Sequence, residues 1–291
     1  MDKLIKALAL NNAVRVYVIN NTDTVNTAIK KHSLWPSATS VLSKALTMGQ
    51  IMGCMLKGDE GLTIKITGNG QIGQVIVDAK SNGEVRGYVQ NPEVNFVNNS
   101  GGLNDYYAIG NKGTIEVVKD LRMKTPFTSS IDLTGNLAQD FTYYFFESEQ
   151  TKSLCSLGVL VNTKNMCDIS GGILVQLLPN ATEETIDYLE ERMKLITNFN
   201  KVLKNHSLEG ILRLLFKKDY EILDTVNVMF KCNCSKDSFS RSLLTLGSKE
   251  LEQILTQDEK IETRCYYCNN KYEFSKDEIK DLIAELKKQN R

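Results

Sequence analysis

Four cysteines near the C-terminal end of this chain arrive as two close pairs. Cys232-Asn233-Cys234 is a C-x-C and Cys265-Tyr266-Tyr267-Cys268 is a C-x-x-C, with residues 235–264 between them. Two local pairs of thiolates suit one Zn2+, which takes four soft ligands in a closed tetrahedron. Each pair needs a tight turn to aim both sulfurs at one point, and Asn233 suits such a turn. The plainer reading is four buried thiols with no metal, but two close pairs are rarely accidental. The segment between the pairs has helical cues of its own. Leu243, Leu244 and Leu246 precede Gly247-Ser248; Ser248 can cap a second helix that turns Leu251, Ile254 and Leu255 inward.

A tail of about 60 residues buries too little apolar surface to be secure without a staple. Structural zinc contributes on the order of 10–16 kcal/mol in small peptides, and that binding energy is folding energy. The tail should therefore be folded with metal and disordered without it. An all-cysteine ligand set also argues against a catalytic zinc, which keeps a position open for water and usually takes His or carboxylate ligands. The two histidines, His32 and His206, are isolated in sequence and read as surface or packing residues. The chain is not expected to be an enzyme.

The same cysteines can act as a redox switch. Zinc keeps them ionised at neutral pH, and the thiolate is the oxidisable form. Lys231, Lys236, Arg264 and Lys271 flank the pairs and can offset the surplus negative charge. An oxidant can take a thiolate to sulfenic acid, which a neighbouring cysteine resolves as a disulfide. Oxidation would remove the ligands, zinc would leave, and the tail would lose its staple. The other three cysteines, Cys54, Cys155 and Cys167, read as small buried apolar side chains.

Charge narrows the partners. Thirty-five Lys and Arg balance 35 Asp and Glu across 291 residues. A general nucleic-acid binder needs surplus cations to neutralise phosphates, so no nucleic-acid partner is expected. No uncharged apolar run approaches the ~18 residues of a membrane span, and the apolar stretch in MDKLIKALALNN is too short for a secretory signal. The expected compartment is the cytoplasm, where thiols stay reduced and static disulfides are a poor explanation of the cysteines.

Upstream of the tail the pattern is α+β, with a mostly antiparallel sheet and packed helices. Val14–Ile19 reads as a strand, and Thr22, Asp23 and Thr24 offer caps before a helix over Val25–His32. A longer helix is predicted over Ala38–Leu56, whose Met, Ala and Gly content suits close packing on a sheet. Leu62–Ile66, Ile72–Asp78 and Glu84–Val89 read as strands joined at Asn69-Gly70 and Asn82-Gly83, both hairpin signals. Further strands are predicted at Tyr106–Ile109, Thr114–Lys119, Phe127–Leu133, Leu157–Val161 and Ile173–Leu178, with a helix over Leu137–Phe146. Gly68-Asn69-Gly70-Gln71-Ile72-Gly73 spells G-x-G-x-x-G, but a strand pattern follows it. A dinucleotide fingerprint needs a helix there, so no nicotinamide cofactor is expected. After Pro179-Asn180, Thr182–Leu203 reads as one helix with Glu183 and Glu184 in its first turn. Ile186, Leu189, Met193, Ile196, Phe199 and Leu203 form its apolar stripe. A second helix covers Leu208–Phe216, and the cysteine-rich tail starts near Met229.

With these features in place, the chain resembles the redox-regulated 33-kDa heat-shock chaperonin family of bacterial holdases. The resemblance lies first in KCNCS followed by CYYCNNKYEF. It extends over SATSVLSKALTMGQIMGCMLK, TGNGQIGQVIVDAKSNGEVRGYVQNP, YYFFESEQT before LGVLV, and SGGILVQLLPNATEE, spanning nearly the whole chain. The family implies a core domain for client binding and dimerisation over residues 1–179, a helical linker over 180–228 and a zinc-binding redox-switch domain over 229–291. It implies that Cys232, Cys234, Cys265 and Cys268 bind one Zn2+ in a reduced, inactive state. On oxidation Cys232 would join Cys234 and Cys265 would join Cys268, zinc would be released, and tail and linker would unfold. The protein would then form a homodimer and hold unfolded client proteins without ATP. Cys54, Cys155 and Cys167 are a mild departure from the family pattern.

The linker stripe suits that behaviour. Exposing its six apolar residues at ~2 kcal/mol each would cost about 12 kcal/mol as an upper bound. It should lie on the core sheet under the zinc domain while reduced, and form part of an apolar client-binding patch once freed. Two other readings compete. A zinc-ribbon nucleic-acid binder would show a salt-dependent gel shift. A thiol–disulfide oxidoreductase working through Cys265 and Cys268 would turn over in an insulin-reduction assay, although no thioredoxin-like βαβ setting surrounds the motif.

Overall fold

A computed structural model describes residues 2–97, 102–257 and 261–289. The chain divides into two compact units, Met1–Lys231 and Cys232–Arg291.

The first unit is organised by one helix. α2 (Pro36–Gly53) is buried at every position except Pro36 and Lys44. A helix buried all round belongs at the centre of a core rather than on its surface. Its polar residues are accommodated locally: the Ser43 and Thr47 hydroxyls donate to the carbonyls of Thr39 and Ser43. Gln50 Oε1 accepts from Asn21 Nδ2 at 2.9 Å. Its small residues let sheets approach closely. A Cβ on Gly53 would stand 2.8 Å from the Lys80 carbonyl oxygen, too close for any side chain there.

Two sheets flank this helix. The first joins β1 (Lys3–Ala9), β2 (Val14–Asn20), β8 (Ser153–Val161), β9 (Cys167–Leu177) and β10 (Tyr220–Asn227) in the order β10-β1-β2-β9-β8, all antiparallel. The second joins β3 (Gly61–Gly68), β4 (Gln74–Lys80), β5 (Glu84–Val89), β6 (Gly113–Asp120), β7 (Phe127–Asp132) and β11 (Met229–Phe230) in the order β11-β5-β4-β3-β6-β7. Its pairings are antiparallel except the short parallel one between β11 and β5. Side chains from both sheets, α2, α1 (Thr22–His32) and α4 (Leu137–Glu149) form one core that includes Tyr17, Leu46, Ile64, Val77 and Phe141. The glycine-rich hexapeptide joins β3 to β4 as a hairpin turn, and the element that follows it is a strand.

At β2 the first sheet is buried on both faces, which is why Val16–Ile19 is an unbroken apolar run. Tyr17 and Ile19 face α2; Val16 and Val18 face a second core built by α5 (Glu183–Met193), α6 (Phe199–Asn205) and α7 (Leu208–Phe216). The predicted single helix over Thr182–Leu203 is therefore divided. α5 opens on a reciprocal Thr182–Thr185 capping box, a turn of 3-10 helix covers Lys194–Ile196, and Asn198 caps α6 by accepting from Lys201 N–H. The stripe survives the break. Leu189, Ile196, Phe199 and Leu203 are buried, while Ile186 and Met193 are half-buried.

Three other expectations change. Residues 105–109 form a helix, α3 (Asp105–Ile109), because Asn104 caps it, accepting from Tyr107 N–H, against the strand preference of Tyr-Tyr-Ala-Ile. β1 pairs with β10, so the segment 180–228 contains a strand and is not wholly helical. The N-terminal segment, read only as a short apolar stretch, supplies β1.

The second unit has a small core of Leu243, Leu251, Ile261, Phe274, Ile279 and Ile283. It is formed by α8 (Lys236–Leu244), α9 (Ser248–Gln257), the hairpin β12 (Ile261–Arg264) and β13 (Lys271–Phe274), and α10 (Lys276–Gln289).

Leu212 on α7 is fully buried in the core beneath the first sheet. Replacing it with alanine should weaken the packing of α5–α7 by about 2–5 kcal/mol. Hydrogen exchange should then speed up in residues 183–216 ahead of residues 36–53; equal change in both segments would show that the two cores open as one.

Candidate metal centre

Local structure aims all four cysteines. Cys265 and Cys268 occupy the turn of the β12–β13 hairpin. There Cys265 N–H donates to the Asn270 carbonyl at 2.9 Å, and Asn269 N–H donates to the Cys265 carbonyl at 2.8 Å. Asn269 takes the left-handed conformation, φ 58°, that closes the turn. Cys232 and Cys234 lie just before α8, whose first turn is fixed by a capping box between Ser235 and Ser238. The four Sγ atoms all lie within 4.8 Å of one another. Cys232 Sγ is 3.7 Å from Cys265 Sγ, and Cys234 Sγ is 3.3 Å from Cys268 Sγ. Sulfurs about 2.3 Å from a tetrahedral Zn2+ stand ~3.8 Å apart, so the spacing fits one metal ion.

The electrostatics point the same way. Burial pushes the Cys265 and Cys268 thiols up from their ordinary value. At Cys234 burial also acts upward, but hydrogen bonds from Tyr272 and the neighbouring thiols outweigh it and hold the group below the usual thiol range. Four thiolates crowded into this space need a dication among them. The flanking lysines do not supply that charge. Lys271 pairs across the hairpin with Glu262 at 2.9 Å, and Lys236 pairs with Glu278 at 2.5 Å. In the first unit, Lys231 pairs with Glu84. Their carboxylate partners are too far along the sequence for spacing to have revealed them.

One residue of the centre escaped the sequence reading. Tyr272 Oη lies 3.1 Å from Cys234 Sγ and donates to the Cys234 carbonyl at 3.0 Å. Its ring packs on Phe239, centroids 5.1 Å apart, which ties β13 to α8. The only available signal was its position in the strand leaving the C-x-x-C turn.

The remaining cysteines are placed apart from this centre. Cys54 and Cys167 are buried, and Cys155 turns its sulfur in against Met48 Sδ at 3.6 Å. Burial raises Cys54 to about 11 and both Cys155 and Cys167 to about 12, so all three stay protonated at neutral pH. His32 is buried in α1 and His206 follows α6, and neither belongs to the sulfur cluster.

A two-sheet α+β unit followed by a small unit with four clustered cysteines that could hold a metal ion defines the class. Comparison with known proteins narrows it. The family profile described as Hsp33 protein matches residues 2–275. The 33 kDa chaperonin of Bacillus cytotoxicus is 44% identical over 289 residues, covering 98% of this chain and 99% of the relative. The 33 kDa chaperonin of Bacillus cereus strain AH187 is 43% identical over the same length. The crystal structure of the 33 kDa chaperonin (heat shock protein 33 homolog) of Thermotoga maritima superposes with a TM-score of 0.91 at 32% identity, covering 99% of both chains. The chain belongs to the Hsp33 family. No helix among the described residues is long and apolar enough to cross a membrane.

Tyr272→Phe should weaken metal binding about 10-fold, the lower end of what outer-sphere partners contribute, while Cys268→Ser should cost more than ~100-fold. Competition with a chromophoric chelator measures both. Affinity should also fall as pH drops, because protons compete for all four sulfurs.

Proposed function

We propose that this chain is an ATP-independent holdase chaperone switched on by oxidation of its four clustered cysteines. The observation that carries the reading is the convergence of Cys232, Cys234, Cys265 and Cys268 within 4.8 Å in a chain of the Hsp33 family, whose relatives are named 33 kDa chaperonin. The metal is Zn2+, consistent with an all-sulfur tetrahedral set. It would keep the four thiolates ionised and cross-link the start of the tail to its hairpin turn, in a unit whose core has six buried apolar residues among the described ones. In that reduced state the protein is inactive. It works in the cytoplasm, has no catalytic centre, and takes unfolded proteins as partners.

Oxidation acts through the sulfurs. Two thiolates lose two electrons to one peroxide, which leaves as two waters after taking up two protons, and one disulfide forms. Which sulfurs pair decides the outcome. The 3.7 and 3.3 Å contacts cross from one pair to the other, joining Cys232 to Cys265 and Cys234 to Cys268. Disulfides across those contacts would restaple the tail. The family resemblance implies disulfides between neighbours, Cys232–Cys234 and Cys265–Cys268, which would consume every ligand and leave the hairpin and the start of α8 unlinked. Once the tail unfolds, the linker (residues 180–228) loosens from the core (residues 1–179). The stripe from Ile186 to Leu203 and the sheet face beneath it then become client-binding surface. The oxidised form is a homodimer.

Treating the reduced, zinc-loaded protein with peroxide at mild heat should consume four thiols, release one zinc per chain and suppress aggregation of a thermally unfolded client. Peptide mapping should find the two neighbour disulfides. Suppression with zinc still bound, or with the cross-paired disulfides, would contradict the coupling.

A further inference from the structure

The chain reaches Cys232 along an unusual path. β10 leaves the first sheet at Asn227, and two residues later, at Met229, the chain has become an edge strand of the second sheet. Met229 N–H donates to the Gly83 carbonyl at 3.2 Å, and Lys231 N–H donates to the Val85 carbonyl at 2.8 Å. Val228 is buried and Phe230 is half-buried against the main core, while Met229 between them faces out. The contact is built into the fold. Gly83 sits at φ 84°, and a Cβ there would stand 2.7 Å from the Asn227 carbonyl oxygen, so only glycine lets the segment approach. Glu84 anchors the far end through Lys231 and Lys80.

This strand is short for its position. It pairs with Glu84 and Val85 alone, and among the described residues no strand continues along Arg86–Val89 on that side. Outward-facing backbone groups on β5 alternate, so Gly87 and Val89 continue the row that Val85 begins. A two-pair strand held by partly exposed lysines is weakly fixed, and two residues beyond it stands the first cysteine of the cluster, Cys232.

We propose that the outer edge of β5 is a docking strand for unfolded chains, filled in the reduced protein by Val228–Lys231 and vacated when the metal centre is lost. The inference rests on the chaperone reading above and says how that activity takes hold of its client. The occupant is an extended segment of an unfolded protein with apolar residues at alternate positions. The native occupant, Val228-Met229-Phe230, already shows that pattern, with two side chains in and one out. Backbone pairing would give affinity with little regard to sequence, and the two vacated side-chain positions would favour apolar residues. An open strand edge is an aggregation hazard in a resting protein; here the protein's own segment covers the Glu84–Val85 end of it until oxidation.

The test is hydrogen exchange on the full-length protein, with reduced and carboxymethylated α-lactalbumin as a permanently unfolded probe. Oxidation should speed exchange of the Met229 and Lys231 amides by about tenfold or more. Adding the probe should then protect the Val85, Gly87 and Val89 amides while Met229 and Lys231 stay fast. Met229→Pro, which removes the amide donated to Gly83, should bind the probe even when reduced and metal-loaded. Probe binding by the oxidised protein with residues 85–89 unchanged would overturn the docking strand and leave the chaperone reading standing. Failure of the oxidised protein to bind the probe at all would overturn both.

Discussion

Four sulfurs brought to one point are the constraint on which the C-terminal unit depends. Among the described residues its core has six buried apolar side chains, spread over three helices and a hairpin of two four-residue strands. That is little to set against the entropy of ordering about 60 residues. Cys232 and Cys234 at one end of the unit and Cys265 and Cys268 in its hairpin turn are the groups through which a metal can tie these parts together. Tyr272 adds to the tie by reaching both the sulfur and the carbonyl of Cys234.

The N-terminal unit is built on the opposite principle. Its central helix is buried between two sheets, and one of those sheets is buried again by α5–α7. Stability there is distributed over packing that no single side chain controls. Each of the two units has its own apolar core. Within the first unit, α5–α7 add their own separate core to the first sheet, and β11 adds only two residue pairs to the second.

Much of this was legible in the sequence because the signals were local. The C-x-C and C-x-x-C spacing singled out the four cysteines whose sulfurs the fold brings within 4.8 Å of one another, and Asn69-Gly70 and Asn82-Gly83 located the β3–β4–β5 meander. What escaped depended on distant partners. β1 is interrupted by Lys3 and Lys6 and makes sense only beside β10, more than 200 residues away. β10 is exposed along most of its length and carries no alternation to read. α5 and α6 share one apolar stripe, so periodicity ran through the break that Asn198 makes by capping α6. Tyr106 and Tyr107 favoured a strand, and the Asn104 cap outweighed them. The lysines beside the cysteines looked like counter-charges for the sulfurs until the fold gave three of them carboxylates.

Every step of the account begins from a single metal ion held by sulfur alone. X-ray absorption at the zinc edge of the reduced protein measures this directly. The account predicts four sulfur neighbours at about 2.3 Å and no lighter ligand. Fewer than four sulfurs, or an oxygen or nitrogen in the coordination sphere, would contradict it.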